Sequence, residues 1–154
     1  MWEIKATAWS CWAAAAVNQR LPSRLARSST TASAAAQHDQ AVALISHMPV
    51  LVSAALLRAA GDERDPELRT LAQALASSGF ADTSRVGGGN PDLGVAMASS
   101  NREAVLKALA AYRWSLEQLE DAVIKTNWDQ LHKELTRTQH LRPGFLDASA
   151  ELNP

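Results

Sequence analysis

The feature that most restricts the fold is a regular series of apolar side chains in the second half of the chain. Its members are separated by 4, 3, 4, 3 and 4 residues, which is the spacing of one face of an α-helix. The series is Val105, Leu109, Tyr112, Leu116, Leu119 and Val123. A stripe of this kind packs lengthwise against a second helix. It therefore predicts either a core contact within the chain or an interface between two copies of it.

The composition favours helices in the rest of the chain as well. Alanine contributes 30 of the 154 residues and aromatic residues only 5%, which suits closely packed helices better than a β-sandwich. A capping residue followed by proline marks two helix starts, at Asp65 and at Asn90. We predict an all-α fold of about five helices, at residues 38–60, 65–78, 91–98, 101–125 and 127–139.

A loop is predicted between the second and third helices. Gly79 is expected to end the helix that starts at Asp65, and three consecutive glycines at residues 87–89 are incompatible with a regular element. After the short third helix, Ser100 or Asn101 is expected to cap the longest one.

Residues 41–57 contain no formally charged side chain and approach the length of a membrane span. Ser46, His47, Pro49 and Ser53 would all need polar partners within a bilayer, so a buried core helix is favoured. A small membrane-anchored protein is the alternative. Pro49 should distort this helix, because its ring removes one backbone hydrogen bond and crowds a carbonyl of the preceding turn.

Charge and cysteine content exclude several classes of function. Fifteen basic and 16 acidic residues give a net charge of −1, which argues against nucleic acid or an anionic membrane as a general partner. The single Cys11 rules out an intrachain disulfide framework, and no histidine spacing typical of a metal site occurs. The GGGN segment at residues 87–90 lacks the strand and helix context of a nucleotide-binding loop. We therefore expect no metal and no cofactor on this chain alone.

The two ends of the chain differ in character from its middle. Residues 1–37 are rich in Arg, Ser and Ala and hold one acidic residue, so we predict a poorly ordered leader, either non-native or frameshifted. An organellar transit peptide has the same composition and is the alternative. Residues 38–140 form the predicted domain, and residues 141–154 a frayed tail.

Three segments resemble the C-terminal helical domain of the prephenate/arogenate dehydrogenase family of tyrosine biosynthesis. They are HDQAVALISHMPVLVSAALLRAA, LASSGFADTSRVGGGNPDLGVAM and the long helix that ends near TNWDQLH. The resemblance covers about residues 38–140 and omits 1–37, where members carry the end of a Rossmann domain. It implies an oxidoreductase domain that forms a homodimer through the apolar series, in a cytoplasmic enzyme. NADP or NAD would be bound by the N-terminal domain, which this chain lacks, so the chain alone should be inactive.

The same resemblance implies which side chains contact substrate. Arg85 would grip a carboxylate of the substrate, Ser46 and His47 would line the cleft, and Asp82 would orient Arg85 or bridge the two subunits. No residue of this chain is expected to be catalytic, and His47 is not the base. Judged from the residues alone, a satisfied core histidine is the commoner explanation of His47. The alternative for Asp82 and Arg85 is a surface ion pair worth under about 1 kcal/mol.

Two departures from the family pattern bear on the substrate. Val50 stands where many prephenate-preferring members have a second histidine, and Gly94 stands where some carry a bulky aromatic residue. The resemblance therefore favours arogenate over prephenate. The alternative function is a non-catalytic helical interaction module or a gene remnant.

Overall fold

The computed structural model describes the backbone of residues 29–152 and the side chains of residues 33–146. Every regular element in this range is helical, which confirms the all-α prediction. The elements are α1 (Ser29–Val42), a π-helical turn (Ala43–His47), α2 (Met48–Gly61), α3 (Pro66–Leu75), α4 (Ser78–Ser84), α5 (Pro91–Ser100), α6 (Arg102–Ile124) and α7 (Trp128–Leu152). The chain divides into two units, Met1–Ala34 and Ala35–Pro154, and the contacts below all lie in the second.

The predicted leader falls mostly outside the described residues, but its last part is helical. Residues 29–37 belong to α1, where alanines 34–36 have the highest helix propensity of any residue type. A helix thus forms at the end of the segment for which a poorly ordered leader is predicted.

The chain distorts immediately before Pro49, as the sequence predicts. The Met48 N–H donates to the Ala43 carbonyl, five residues back, which is the hydrogen-bond pattern of a π turn. Pro49 then occupies the first turn of α2 and lacks the N–H that would continue this pattern. The distortion is thus a widened turn that joins α1 to α2.

Two of the three predicted helix caps are confirmed. Asp65 accepts hydrogen bonds from the Glu67 and Leu68 N–H groups at 2.9 and 3.3 Å, and Asn90 accepts one from the Asp92 N–H at 2.9 Å. Asn101 holds the N-cap position of α6 but does not cap it through its side chain. Its Nδ2 donates to the Asp39 carbonyl at 2.7 Å, which fastens the start of α6 to α1.

The predicted loop after α3 is wrong in part. The chain becomes extended at Ala76, with φ −59° and ψ 124°, and residues 78–84 then form α4. Gly79 lies inside this helix instead of ending the previous one, and its carbonyl accepts the Thr83 hydroxyl at 2.7 Å. Helix α4 packs against α2, so a tertiary contact overrides the weak local propensity of Ser, Gly, Asp and Thr.

The last helix begins as predicted and ends later. Asn127 breaks the pattern, and its Oδ1 accepts from the Gln130 N–H at 3.1 Å. Helix α7 then continues through Pro143 to Leu152, so the predicted end at residue 139 is wrong. Pro143 removes the hydrogen bond to the Gln139 carbonyl, and its ring crowds that carbonyl. Residue 139 is exposed, so water can satisfy the carbonyl as it tilts outward.

The core is built from small side chains where α6 crosses the π turn. Ala43, Ala104, Val105 and Ala108 are buried there, with Met48, Leu51 and Leu109 packed against them. Helix α6 also contacts α5 and α7, while α2 contacts α3 and α4. These contacts bring the π turn, α2 and the segment after α4 into one unit.

The apolar stretch of residues 41–57 is less buried than predicted. Within the described residues, Ser33–Gly61 is long and apolar enough to cross a membrane by length and composition alone, a test that core helices of soluble proteins also pass. Ala43 and Ser53 are buried as expected, whereas Leu44 and Ile45 are 49% and 64% exposed. One face of this stretch thus packs in the core and another carries uncovered apolar side chains.

The apolar series on α6 divides in the same way. Val105 is 3% exposed and Leu109 is partly buried in the core of the chain itself. Farther along, Leu116 and Val123 are 50% and 49% exposed. The first part of the series is therefore an internal contact, and only the later part is free to meet another chain.

Candidate functional site

The candidate site is centred on the turn that follows α4. Arg85 lies at its start with φ −54° and ψ −48°, and its side chain is exposed. Within the described part of the chain its guanidinium makes no hydrogen bond or ion pair. Asp82, one helical turn earlier, is exposed as well, and the surface ion pair between the two is not formed. Arg85 thus presents a complete set of donors to solvent.

Ser53 fixes this turn through hydrogen bonds to its backbone. It is 2% exposed and lies in the middle of α2. Its hydroxyl donates to the Thr83 carbonyl at 2.8 Å and accepts from the Gly87 N–H at 2.8 Å. The Ser53 hydroxyl therefore has both a hydrogen-bond acceptor and a donor. Both partners lie two residues from Arg85.

The backbone at Gly87 lies so close to the backbone of α2 that no side chain fits between them. A Cβ at this position would overlap the Ala54 nitrogen and the Ser53 carbonyl carbon. Both are backbone atoms, which cannot swing aside as the end of a flexible side chain can. The triple glycine is thus explained at its first position by a close approach of two backbones.

We expect Gly87→Ala to lower the free energy of unfolding by about 1–3 kcal/mol, because the new methyl forces α2 and the turn apart. Urea unfolding followed by circular dichroism measures it. The matched control is Gly79→Ala, since a Cβ there meets nothing within 4 Å. That change should be neutral or stabilising by about 0.5–1 kcal/mol, as is usual inside a helix. Equal effects of the two substitutions would refute the close-approach explanation.

The triple glycine does not fit a nucleotide phosphate. The Gly87 N–H is bonded to Ser53, the Gly88 N–H to the Ser84 carbonyl at 3.3 Å and the Gly89 N–H to the Val86 carbonyl at 3.3 Å. The segment also follows a helix, whereas dinucleotide loops follow a strand. These amides are therefore engaged in holding the turn.

Ser46 and His47 lie on the π turn, at the beginning of α2. Both are half-buried, and the π turn packs against α5 and α6. The His47 Nδ1 is buried without a hydrogen-bond partner in the described part of the chain. Ser53 lies six residues after His47, a rise of about 9 Å along the helix axis. The structure thus connects this pair to the Arg85 turn through α2.

The two departures from the family pattern are neighbours in space. A Cβ built on Gly94 would lie 3.7 Å from the Val50 Cγ1, an ordinary van der Waals contact. Val50 lies in the first turn of α2, and Gly94 is the fourth residue of α5. A small apolar surface therefore lies beside the segment that carries His47.

A cavity of about 590 Å³ lies between α2, α3 and α4, away from the candidate site. Its lining is mostly apolar and includes Leu57, Leu75 and Phe80. Neither Arg85 nor His47 lines it. The candidate site is therefore defined by the exposed charge of Arg85 and the hydrogen bonds of its turn, and not by this cavity.

The sequence proposes Arg85, Asp82, Ser46 and His47 as candidates and does not reveal that Ser53 holds the Arg85 turn. The only hint of this in the sequence is that Ser53 is a polar residue within an apolar helix. Which carbonyl and amide it bonds depends on a contact between residues more than 30 positions apart, and no local pattern encodes that.

Comparison with known proteins relates the domain to one family. Residues 34–137 match the family described as "Prephenate dehydrogenase, dimerization domain". The crystal structure of Synechocystis arogenate dehydrogenase is 54% identical to the chain, with a TM-score of 0.71, over 71% of this chain and 40% of that one. A prephenate dehydrogenase from A. aeolicus, in complex with hydroxyphenyl propionate and NAD+, is similar in fold: 24% identity and a TM-score of 0.63, over 71% of this chain and 37% of that one. The chain thus spans about two fifths of the length of these dehydrogenases.

Proposed function

We propose, since the chain belongs to the prephenate dehydrogenase dimerisation-domain family, that it supplies the substrate-carboxylate contact and the dimer interface of an arogenate or prephenate dehydrogenase. Such an enzyme oxidatively decarboxylates its substrate by hydride transfer to NADP or NAD. The hydride acceptor would be held by a separate nucleotide-binding domain, because the glycine turn described here does not fit a nucleotide. The role of this chain's residues is then to bind and orient the substrate.

The observation that carries the proposal is Arg85 itself. Its guanidinium is exposed and makes no ion pair in the described structure, while the backbone on both sides of it is fixed by Ser53. A guanidinium stays charged and offers a planar pair of donors that matches a carboxylate. The anionic cyclohexadienyl substrates that the family resemblance implies carry the complementary group.

His47, Ser46 and Asp82 are proposed to complete the cleft. The His47 Nδ1 is buried and unpartnered, so a substrate or an adjoining domain could supply its hydrogen bond. Asp82, exposed near Arg85, would orient the guanidinium or bridge to the second subunit. His47 is proposed as a binding residue and is not proposed as the base.

A homodimer is proposed from the uncovered apolar surface of α6 and α7. Among large apolar side chains there, Leu116, Ile124 and Trp128 are half or more exposed. Apolar surface of this extent usually marks an interface. Val105 and Leu109, which are committed to the chain's own core, are left out of the proposed interface, whereas Tyr112, Leu116, Leu119 and Val123 remain in it.

Arogenate is proposed as the preferred substrate. Val50 and Gly94 together present a small apolar surface. By the family resemblance, many prephenate-preferring members have a histidine at the first position and some members a bulky aromatic residue at the second, so the cleft of this chain offers neither group to a keto acid. The ratio of kcat/KM for arogenate and prephenate is the measurement that decides it.

The test uses a chimera in which residues 38–140 replace the matching residues of Synechocystis arogenate dehydrogenase. We expect the chimera to oxidise arogenate with NADP or NAD, and Arg85→Ala to impair it through the KM for arogenate. The probe for direct binding is hydroxyphenylpropionate, the class of carboxylate bound to the A. aeolicus relative. A folded, dimeric chimera without turnover would favour the alternative, a helical module that only dimerises.

We further expect the 154-residue chain alone neither to bind NADPH nor to oxidise arogenate, because its glycine turn has no amide left for a phosphate. Fluorescence titration with NADPH and an absorbance assay of nicotinamide reduction check both. The chimera, assayed at the same concentration, is the positive control. Turnover by the chain alone would contradict the proposal that a separate domain binds the cofactor.

A further inference from the structure

The Ser53 hydroxyl replaces a backbone hydrogen bond in the Arg85 turn. In a continuous α-helix the N–H of residue 87 would donate to the carbonyl of residue 83. Here the Gly87 N–H donates to the Ser53 Oγ at 2.8 Å, and the Ser53 hydroxyl donates to the Thr83 carbonyl at 2.8 Å. A side chain from α2 is thus inserted between two groups that would otherwise bond to each other.

The helical hydrogen-bond pattern resumes at the next residue. The next bond in the series, from the Gly88 N–H to the Ser84 carbonyl, is present at 3.3 Å. Thr83 and Gly87 stand two residues before and two residues after Arg85, so the bridge fixes the backbone on both sides of it. The bridge is also shielded, since Ser53 is 2% exposed and the Gly87 Cα lies against the α2 backbone.

We infer that Ser53 is a positioning residue for Arg85: its hydroxyl sets the direction in which the guanidinium meets the substrate carboxylate, without touching the substrate. Removal of the hydroxyl leaves the Thr83 carbonyl and the Gly87 N–H without their shared partner. The backbone on both sides of Arg85 is then no longer fixed, and the guanidinium loses its set direction. This inference rests on the proposed function of Arg85.

The experiment is steady-state kinetics on the chimera with Ser53→Ala. We expect the KM for arogenate to rise about 5-fold to 20-fold, with kcat and the KM for NADP within about 2-fold of the parent. Ser53→Cys places a slightly larger thiol at the same position, and a thiol forms only weak hydrogen bonds, so this variant should fall between the parent and Ser53→Ala. The matched control is Ser99→Ala, whose hydroxyl bonds only the Ala96 carbonyl of its own helix at 3.2 Å and should leave all constants unchanged.

A double-mutant cycle separates positioning from general loosening. If Ser53 acts through Arg85, adding Ser53→Ala to Arg85→Ala should change the KM for arogenate by less than about 2-fold. Additive effects would overturn the inference, as would an unchanged KM in Ser53→Ala while Arg85→Ala raises it. No effect of Arg85→Ala would instead remove the proposed function on which the inference rests.

The chain itself provides a second measurement. Amide hydrogen exchange of Gly87, followed by NMR on the 154-residue chain, should be at least about 10-fold faster in Ser53→Ala than in the parent. Unchanged exchange at Gly87 would overturn the inference independently of activity. If Ser53→Ala does not fold, Ser53→Cys is carried through the same cycle and the same exchange measurement.

Discussion

Arg85→Ala in the chimera is expected to lower kcat/KM for arogenate about 30-fold to 1000-fold, a loss of about 2–4 kcal/mol. The lost contact is a charge-assisted pair of hydrogen bonds to a substrate carboxylate, so the KM for arogenate should carry most of the change. The KM for NADP should stay close to its parent value, because the cofactor belongs to the other domain. Steady-state kinetics with each substrate varied in turn measures all three constants.

Two further variants make the Arg85 result specific. Arg85→Lys should fall between the parent and the alanine variant, because lysine restores the charge but not the planar pair of donors. Arg64→Ala removes another exposed arginine, in the loop between α2 and α3, and should change nothing. Unchanged efficiency in a stably folded Arg85→Ala variant would make Arg85 an ordinary surface residue.

Leu116→Asp is expected to convert the proposed dimer to a monomer. Leu116 is 50% exposed in the single chain, so the substitution should be tolerated there, whereas in a dimer it would bury an unpaired charge at a cost of several kcal/mol, roughly 3–5. Sedimentation velocity of parent and variant at equal concentration measures the change.

The control for this prediction adds the same charge elsewhere on the helix. Gln118 is exposed and lies two positions along α6, on a different face from Leu116, so Gln118→Asp should leave the sedimentation coefficient unchanged. A parent chain that sediments as a monomer, or a Leu116→Asp variant that remains dimeric, would contradict the interface proposed here.

The parts of the fold that were predictable are those with local causes. Asp65 and Asn90 cap their helices because a side-chain oxygen reaches amides two or three residues away, an interaction contained within one turn. Pro49 distorts its helix because of its own ring. The family resemblance also rests on local blocks of sequence, and the match to residues 34–137 confirms it.

The parts that were missed depend on distant contacts. Helix α4 has a poor intrinsic propensity and exists where it packs against α2, so a local pattern reads it as a loop. The α6 series has a single period, yet Val105 packs inside the chain while Leu116 is half exposed. Periodicity states which residues share a face of a helix and does not state what that face meets.

The residues of the candidate site also divide into those with a local signal in the sequence and those that depend on distant contacts. Arg85, Asp82, Ser46 and His47 could be proposed from motif positions, because the resemblance carries them residue by residue. Ser53 could not, since a buried serine in an apolar helix indicates only that some partner exists. Its partners came from the structure, at Thr83 and Gly87.

The most direct test of the central claim pairs a change in the protein with a change in the ligand. Calorimetry would compare the binding of hydroxyphenylpropionate and of its uncharged amide to the chimera and to Arg85→Ala. If Arg85 binds the carboxylate, the parent should prefer the acid by about 10-fold or more, and Arg85→Ala should prefer it by less than about 2-fold. An undiminished preference for the acid in Arg85→Ala would contradict the account.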